Sequence, residues 1–230
     1  MRNPNAALLL SAVHKLVPLL DQIVFVGGCA TGMLITDPGA APVRPTVDVD
    51  AIVEIAPYST WMALEGRLRQ LGFEQPPVEG APLCRWIHGD VILDLMPTDS
   101  TILGFSNRWY PEALKNARTV EVGCHQVRLI SAPYFLATKF EAFHGRGQLD
   151  YGMSRDLEDI VTVVDGRAEI VAEVEQAAPS LQQYLSSEFS MLLLERDFRE
   201  ALPGHLLPDA VSQQRARIVL IRMQQIVRRG

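Results

Sequence analysis

Phe25-Val26-Gly27-Gly28, followed at a distance by Arg44-Pro45-Thr46-Val47-Asp48-Val49-Asp50, is the stretch that decides the fold. Ile23 to Val26 is a short apolar run that reads as a buried strand, and it ends on two glycines before a predicted helix over 30–35. Backbone N–H groups that carry no side chain there let a phosphate approach, although glycines at such a junction also serve the turn alone. In the second segment Asp48 and Asp50 alternate with Val47, Val49 and Ala51, so a strand over 47–55 puts both carboxylates on one face. Two like charges side by side are costly unless a cation lies between them. Mg²⁺, which takes few carboxylates and completes its shell with phosphate oxygens, suits such a pair. The same alternation also describes an ordinary strand with one wet face. A third acid, Asp94, interrupts the apolar run Val91-Ile92-Leu93-Asp94-Leu95-Met96. Buried there, it requires a metal or another cation. Arg44 and Thr46, just ahead of the aspartate pair, are donors for phosphate oxygens.

Working outward, the first half alternates strands and helices. Leu8 to Leu20 is helical in spacing, 36–45 is a proline-rich loop, and 58–71 is an amphipathic helix closed by Gly72. Two hairpins follow, 83–88 with 91–95 across Gly89-Asp90, and 119–122 with 126–130 around Gly123. From Ser131-Ala132-Pro133, a helix-start signal, every pattern is helical: 134–143, 153–164, 169–176, 180–201 and 209–227. The fold class is therefore α/β in the α+β sense. A mixed-sheet lobe spans 1–130, and a helical lobe over 131–230 completes an active-site cleft.

Composition bounds the function. With 230 residues, 48% hydrophobic and 21% charged, the chain is long enough to bury a core without staples. Three cysteines with no CxxC argue against a disulfide framework and a cysteine-rich zinc site, and fit a reducing cytoplasm. The histidines show no HExxH spacing, the serines no GxSxG context, and no GxxxxGK[ST] occurs. Arg2 and the apolar run after it read as part of an amphipathic helix rather than a signal peptide, and no apolar run is long enough for a membrane. The net charge of −6 disfavours a general nucleic-acid binder. After Asp209, however, there are only cations: Arg215, Arg217, Arg222, Arg228 and Arg229. They suit either a solvated helix end or a phosphate-rich partner.

The glycine pair, the DxD and the third aspartate together resemble the nucleotidyltransferase superfamily, with its hG[GS] turn, Dh[DE] pair and later carboxylate. Within it the chain is most similar to the AbiEii-like toxin group of abortive-infection and toxin–antitoxin systems. The resemblance rests on Gly27-Gly28, Arg44, Thr46, Asp48, Asp50 and Asp94, then Lys139, Arg146 and Arg155-Asp156-Leu157-Glu158-Asp159. It covers roughly residues 23–165. Cys29 departs from the small polar residue many members carry after the glycines, and the proline-rich loop lengthens the gap before Asp48.

The resemblance implies an Mg²⁺-dependent enzyme that transfers a nucleotide monophosphate from an NTP to a hydroxyl acceptor, tRNA or a protein, under the control of a cognate antitoxin. Two ions are expected, held by Asp48, Asp50 and Asp94, with Asp94 doubling as a general base. Gly27, Gly28, Arg44 and Thr46 would contact the nucleotide. Lys139, seven residues before Arg146 and so on the same helix face, reads from spacing alone as a snorkelling lysine; with the resemblance it becomes a contact to the phosphates. Arg146, Asp156 and Asp159 would orient substrate, although Arg155 and Asp159 also suit a helix ion pair. Gly145-Arg146-Gly147 reads as a loop more than a phosphate clamp. A small-molecule acceptor such as an aminoglycoside, drawn by the acidic balance, is the other enzyme reading. A nucleotide-binding protein without turnover is the reading from a different class.

Overall fold

The computed structural model describes residues 3–55, 58–146 and 150–229, with residue 229 described by its backbone only. Arg2, Gly147 and the side chain of Arg229, which enter the sequence reading, lie outside the described residues. The contacts divide the chain into two units, one of Asn3–Gly32 with Arg44–Ser131 and one of Met33–Val43 with Ala132–Gly230.

The first unit carries α1 (Ala6–Lys15), β1 (Ile23–Val26), the start of α2 (Gly27–Leu34), β2 (Val49–Val53), α3 (Tyr58–Gln70), β3 (Arg85–His88), β4 (Val91–Pro97), α4 (Ser100–Leu103), α5 (Tyr110–Lys115), β5 (Arg118–Val122) and β6 (His125–Leu129). The short helices α4 and α5 fall where no helical pattern is read. Six strands form one mixed sheet in the order β3-β4-β2-β1-β6-β5. β1 sits inside it, antiparallel to β2 and parallel to β6, and all of its residues are buried. A strand flanked on both edges and covered on both faces has no polar position to offer, which is why it reads as an unbroken apolar run.

Register is the part of the fold that makes the site. The hairpin turn Gly89-Asp90 sets His88 opposite Val91 and therefore Arg85 opposite Asp94. β4 runs parallel to β2 with Asp94 beside Asp50, and β2 runs antiparallel to β1 with Asp50 beside Val26. Arg85, Asp94, Asp50 and Val26 thus form one transverse row across four strands. β2 is shorter than the expected 47–55. Its ladder begins at Val49, so Asp48 stands in the loop just ahead of the strand.

The second unit holds α6 (Ala132–Arg146), α7 (Arg155–Gly166), α8 (Ile170–Glu175), α9 (Pro179–Leu194), α10 (Arg196–Ala201), α11 (Ala210–Gln214) and α12 (Ala216–Arg229). α7 is capped by Ser154, whose hydroxyl accepts from the Leu157 N–H. Two helices read as continuous are divided. Over 180–201 the chain breaks at Glu195, which takes up an extended conformation (φ −68°, ψ 121°), and over 209–227 it divides at Arg215. α6 is buried nearly all the way round from Ala132 to Phe140, the mark of an internal helix rather than a surface one. The basic C-terminal run is partly used inside the unit. Arg215 bonds both Asp165 and Asp37, and Arg222 donates to the carbonyls of Val164 and Asp165, while Arg217 and Arg228 are exposed. None of the described helices is long and apolar enough to cross a membrane.

Candidate functional site

Gly27 follows the last residue of β1 and opens α2 with a φ of +64°. Its missing side chain is occupied by Asp50. A Cβ built on Gly27 would meet Asp50 Oδ2 at 1.9 Å and Asp50 Cγ at 2.5 Å. The carboxylate therefore lies directly against the backbone of the glycine turn. Gly28 comes next, with Thr46 at ordinary contact distance (3.4 Å to a built Cβ). Both glycines are half-buried, and the free N–H groups of the helix start favour negative charge there.

Thr46 and Asp48 are joined to each other. The Thr46 hydroxyl donates to Asp48 Oδ1 at 2.7 Å, which fixes the loop carboxylate that the strand does not hold. Asn5, which the sequence reading passes over, ties the parts together. Its side-chain amide donates to the carbonyls of Gly28 (3.3 Å) and Arg44 (3.1 Å), and its Oδ1 accepts from the Thr46 N–H at 3.0 Å. It stands at the N-cap of α1 yet makes no side-chain cap there. An Asn before a helix reads as a cap, so no sequence signal marks this second use. Arg44 donates to the carbonyl of its neighbour Pro45 at 3.3 Å.

The cation that the burial of Asp94 demands is Arg85. Its guanidinium forks onto both carboxylate oxygens, Nε to Oδ1 at 2.8 Å and NH2 to Oδ2 at 2.6 Å, the bidentate geometry of a strong charge-assisted pair. The same NH2 lies 3.5 Å from Asp48 Oδ2. Its hydrogen bond to Asp94 holds Arg85 still further above its ordinary pKa, against the opposing effect of burial. Arg85 is absent from the sequence reading, although the two-residue turn was enough to place it opposite Asp94.

Two thiols border the cluster and are both quiet. Cys29 is fully buried, donates to the Val26 carbonyl at 3.2 Å, and has its pKa pushed up first by burial and then by the charge of Asp50. Burial and the nearby Asp94 raise Cys84 to about 11. A thiol this far above neutrality is no nucleophile.

The later residues of the sequence pattern gather within the helical unit. Lys139 on α6 bonds Asp156 at 3.1 Å and pairs with Asp159 at 2.6 Å, both on α7. Arg146 adds a two-pronged contact to Asp156, with both distances 2.9 Å. Burial works to raise the pKa of Asp156, but the bonds and charges of Arg146 and Lys139 outweigh it and hold the carboxyl below its ordinary value. Asp159 thus meets Lys139 across the two helices.

A fold similar to this one occurs among solved structures. The crystal structure of an antigenic nucleotidyltransferase-like protein from Paracoccidioides brasiliensis is similar over 87% of this chain and 92% of that one, at 20% identity and a TM-score of 0.51. The fold is nucleotidyltransferase-like. JHP933 from Helicobacter pylori is matched over 96% of this chain and 92% of that one, at 14% identity and a TM-score of 0.48. No family model matches the chain, and no curated protein does.

Among the described residues, no group of three or more His, Cys, Asp or Glu side chains is set to hold a metal. Asp48 and Asp50 offer hard carboxylate oxygens, which is the chemistry of an Mg²⁺ site completed by substrate phosphates and water. Asp94 is committed to Arg85.

Proposed function

We propose that this chain is an Mg²⁺-dependent nucleotidyltransferase that moves a nucleotide monophosphate from an NTP to a hydroxyl acceptor. The observation that carries the proposal is the packing of Asp50 onto Gly27, with Asp48 locked beside it by Thr46. A carboxylate pressed against a bare helix start is an arrangement that suits a cation and a phosphate together. Mg²⁺ bound there would neutralise the leaving phosphates and ease deprotonation of the attacking hydroxyl.

The chain's own residues would do the rest. Gly27 and Gly28 present backbone N–H groups to the phosphates, and Asp48 and Asp50 hold the ion. Thr46 and Asn5 keep the loop carboxylate in place. Lys139, Arg146, Asp156 and Asp159 serve in this proposal as the internal ion cluster of the helical unit. For the acceptor we propose tRNA, on the resemblance to the toxin group and on the exposed Arg217 and Arg228 of α12.

The test is pyrophosphate release from each NTP, with and without Mg²⁺ and with and without tRNA. Mg²⁺-dependent release that rises with tRNA supports the reading, and growth arrest on induction would extend it to a toxin. Release stimulated by an aminoglycoside instead would move the acceptor to a small molecule. Nucleotide binding without any release would make the chain a binding protein.

A further inference from the structure

Arg85 stands against two of the three aspartates that the sequence pattern marks. Both oxygens of Asp94 accept from it, and its NH2 also faces Asp48 Oδ2 at 3.5 Å. It is held there by the sheet itself, being the cross-strand partner of Asp94. The guanidinium thus takes the place at Asp94 that a second cation would need. A guanidinium supplies charge but has no vacant orbital, so it neutralises Asp94 without activating a hydroxyl. A carboxylate whose two oxygens each accept an N–H of the same guanidinium is also a poor ligand and a poor base.

We propose that Arg85 fills the second cation place of this cluster, so that the free protein binds one divalent ion, at Asp48 and Asp50. A second ion enters at Asp94 only when the guanidinium is gone. Arg85 is then a positioning residue that sets metal number, and the expected pair of ions becomes one ion and one arginine. This rests on the proposed metal-dependent reading of the same site.

The experiment counts Mn²⁺, used alone as an EPR-visible stand-in for Mg²⁺, on the full chain without nucleotide. The expected result is one ion on the wild type, two on Arg85→Gln, and one on the double variant Arg85→Gln/Asp94→Asn. The double variant removes both members of the half-buried pair together, a change that folds tolerate better than the loss of one partner. Two ions on the wild type overturn the inference, as does a count of one on a folded Arg85→Gln. If that single variant does not fold, the wild type and the double variant decide, and two ions on either overturn it. No ion on the wild type is a separate outcome: it removes the metal-dependent reading itself, and this inference with it.

Discussion

Replacing Gly27 with alanine probes the contact on which the site depends. Two costs arise, and the structure separates them. The first is conformational: an L-residue at φ +64° is disfavoured by about 1–2 kcal/mol. The second is steric. The new methyl would meet Asp50 at Oδ2 (1.9 Å), Cγ (2.5 Å) and Cβ (2.7 Å). Rotation about χ1 relieves the first two, but Cβ is fixed to the backbone of β2, so the strand has to move, at about 1–3 kcal/mol for such overpacking. The expected loss in Gly27→Ala is therefore about 2–5 kcal/mol by urea unfolding. Mn²⁺ affinity should fall with it, because the displaced group is a ligand in the proposed site. In an Asp50→Gly background all three close atoms are gone, so the same substitution should cost less by at least about 1 kcal/mol, well beyond additive scatter. A coupling under about 0.5 kcal/mol, or a Gly27→Ala protein with wild-type Mn²⁺ affinity, would refute the reasoning.

Asp48→Ala should lower Mg²⁺-dependent pyrophosphate release more than tenfold, about 1.4 kcal/mol of transition-state stabilisation, while the melting temperature holds; a smaller loss removes Asp48 as a ligand. Lys139→Ala should destabilise the protein by about 3 kcal/mol, the low end for breaking a buried pair, because Arg146 still neutralises Asp156. An unchanged melt with a tenfold or larger fall in kcat/KM would return Lys139 to the nucleotide. Asp156, whose folded pKa is depressed below the ordinary 3.8, contributes stability that is present above that value and lost as pH falls through the folded pKa. Urea midpoints should therefore drop below about pH 4, and more steeply in the wild type than in Asp156→Asn; equal slopes contradict the assignment. Asn5→Ala orphans the Thr46 N–H and two carbonyls and should cost about 1–3 kcal/mol, read by the same unfolding assay.

Much of the sheet was legible because its signals are local. The buried run at 23–26, the hairpin turn at Gly89-Asp90 and the helix start after Ser131 each follow from a few adjacent residues. The breaks at Glu195 and Arg215 were not legible, since neither carries a proline or a glycine and the helical spacing runs through both. In the site, Asp48, Asp50 and the glycines were visible as a pattern, and the burial of Asp94 correctly demanded a cation. Which cation was the harder question. Arg85 is recovered only by counting register back from the turn, a step that treats two strands as one object. Asn5 lies beyond even that, because its partners at 28, 44 and 46 are joined only by the folded chain. The proline-rich stretch 36–45 was read simply as a loop, yet most of it, as part of Met33–Val43, belongs with the helical unit.

The turn Gly89-Asp90 has a consequence for how this protein tolerates change. Exposed loop tips are usually where insertions and deletions accumulate harmlessly. Here the tip works as a ruler. It is pinned by Lys15, which donates to the His88 carbonyl and to Asp90, and its length alone decides which β3 side chain meets Asp94. Adding or removing one residue there would slip the hairpin by one place and turn Arg85 to the opposite face of the sheet. Asp94 would then be left without its guanidinium by a lesion that touches no charged residue. Among relatives of this chain, turn length and the presence of an arginine four residues before the turn should change together.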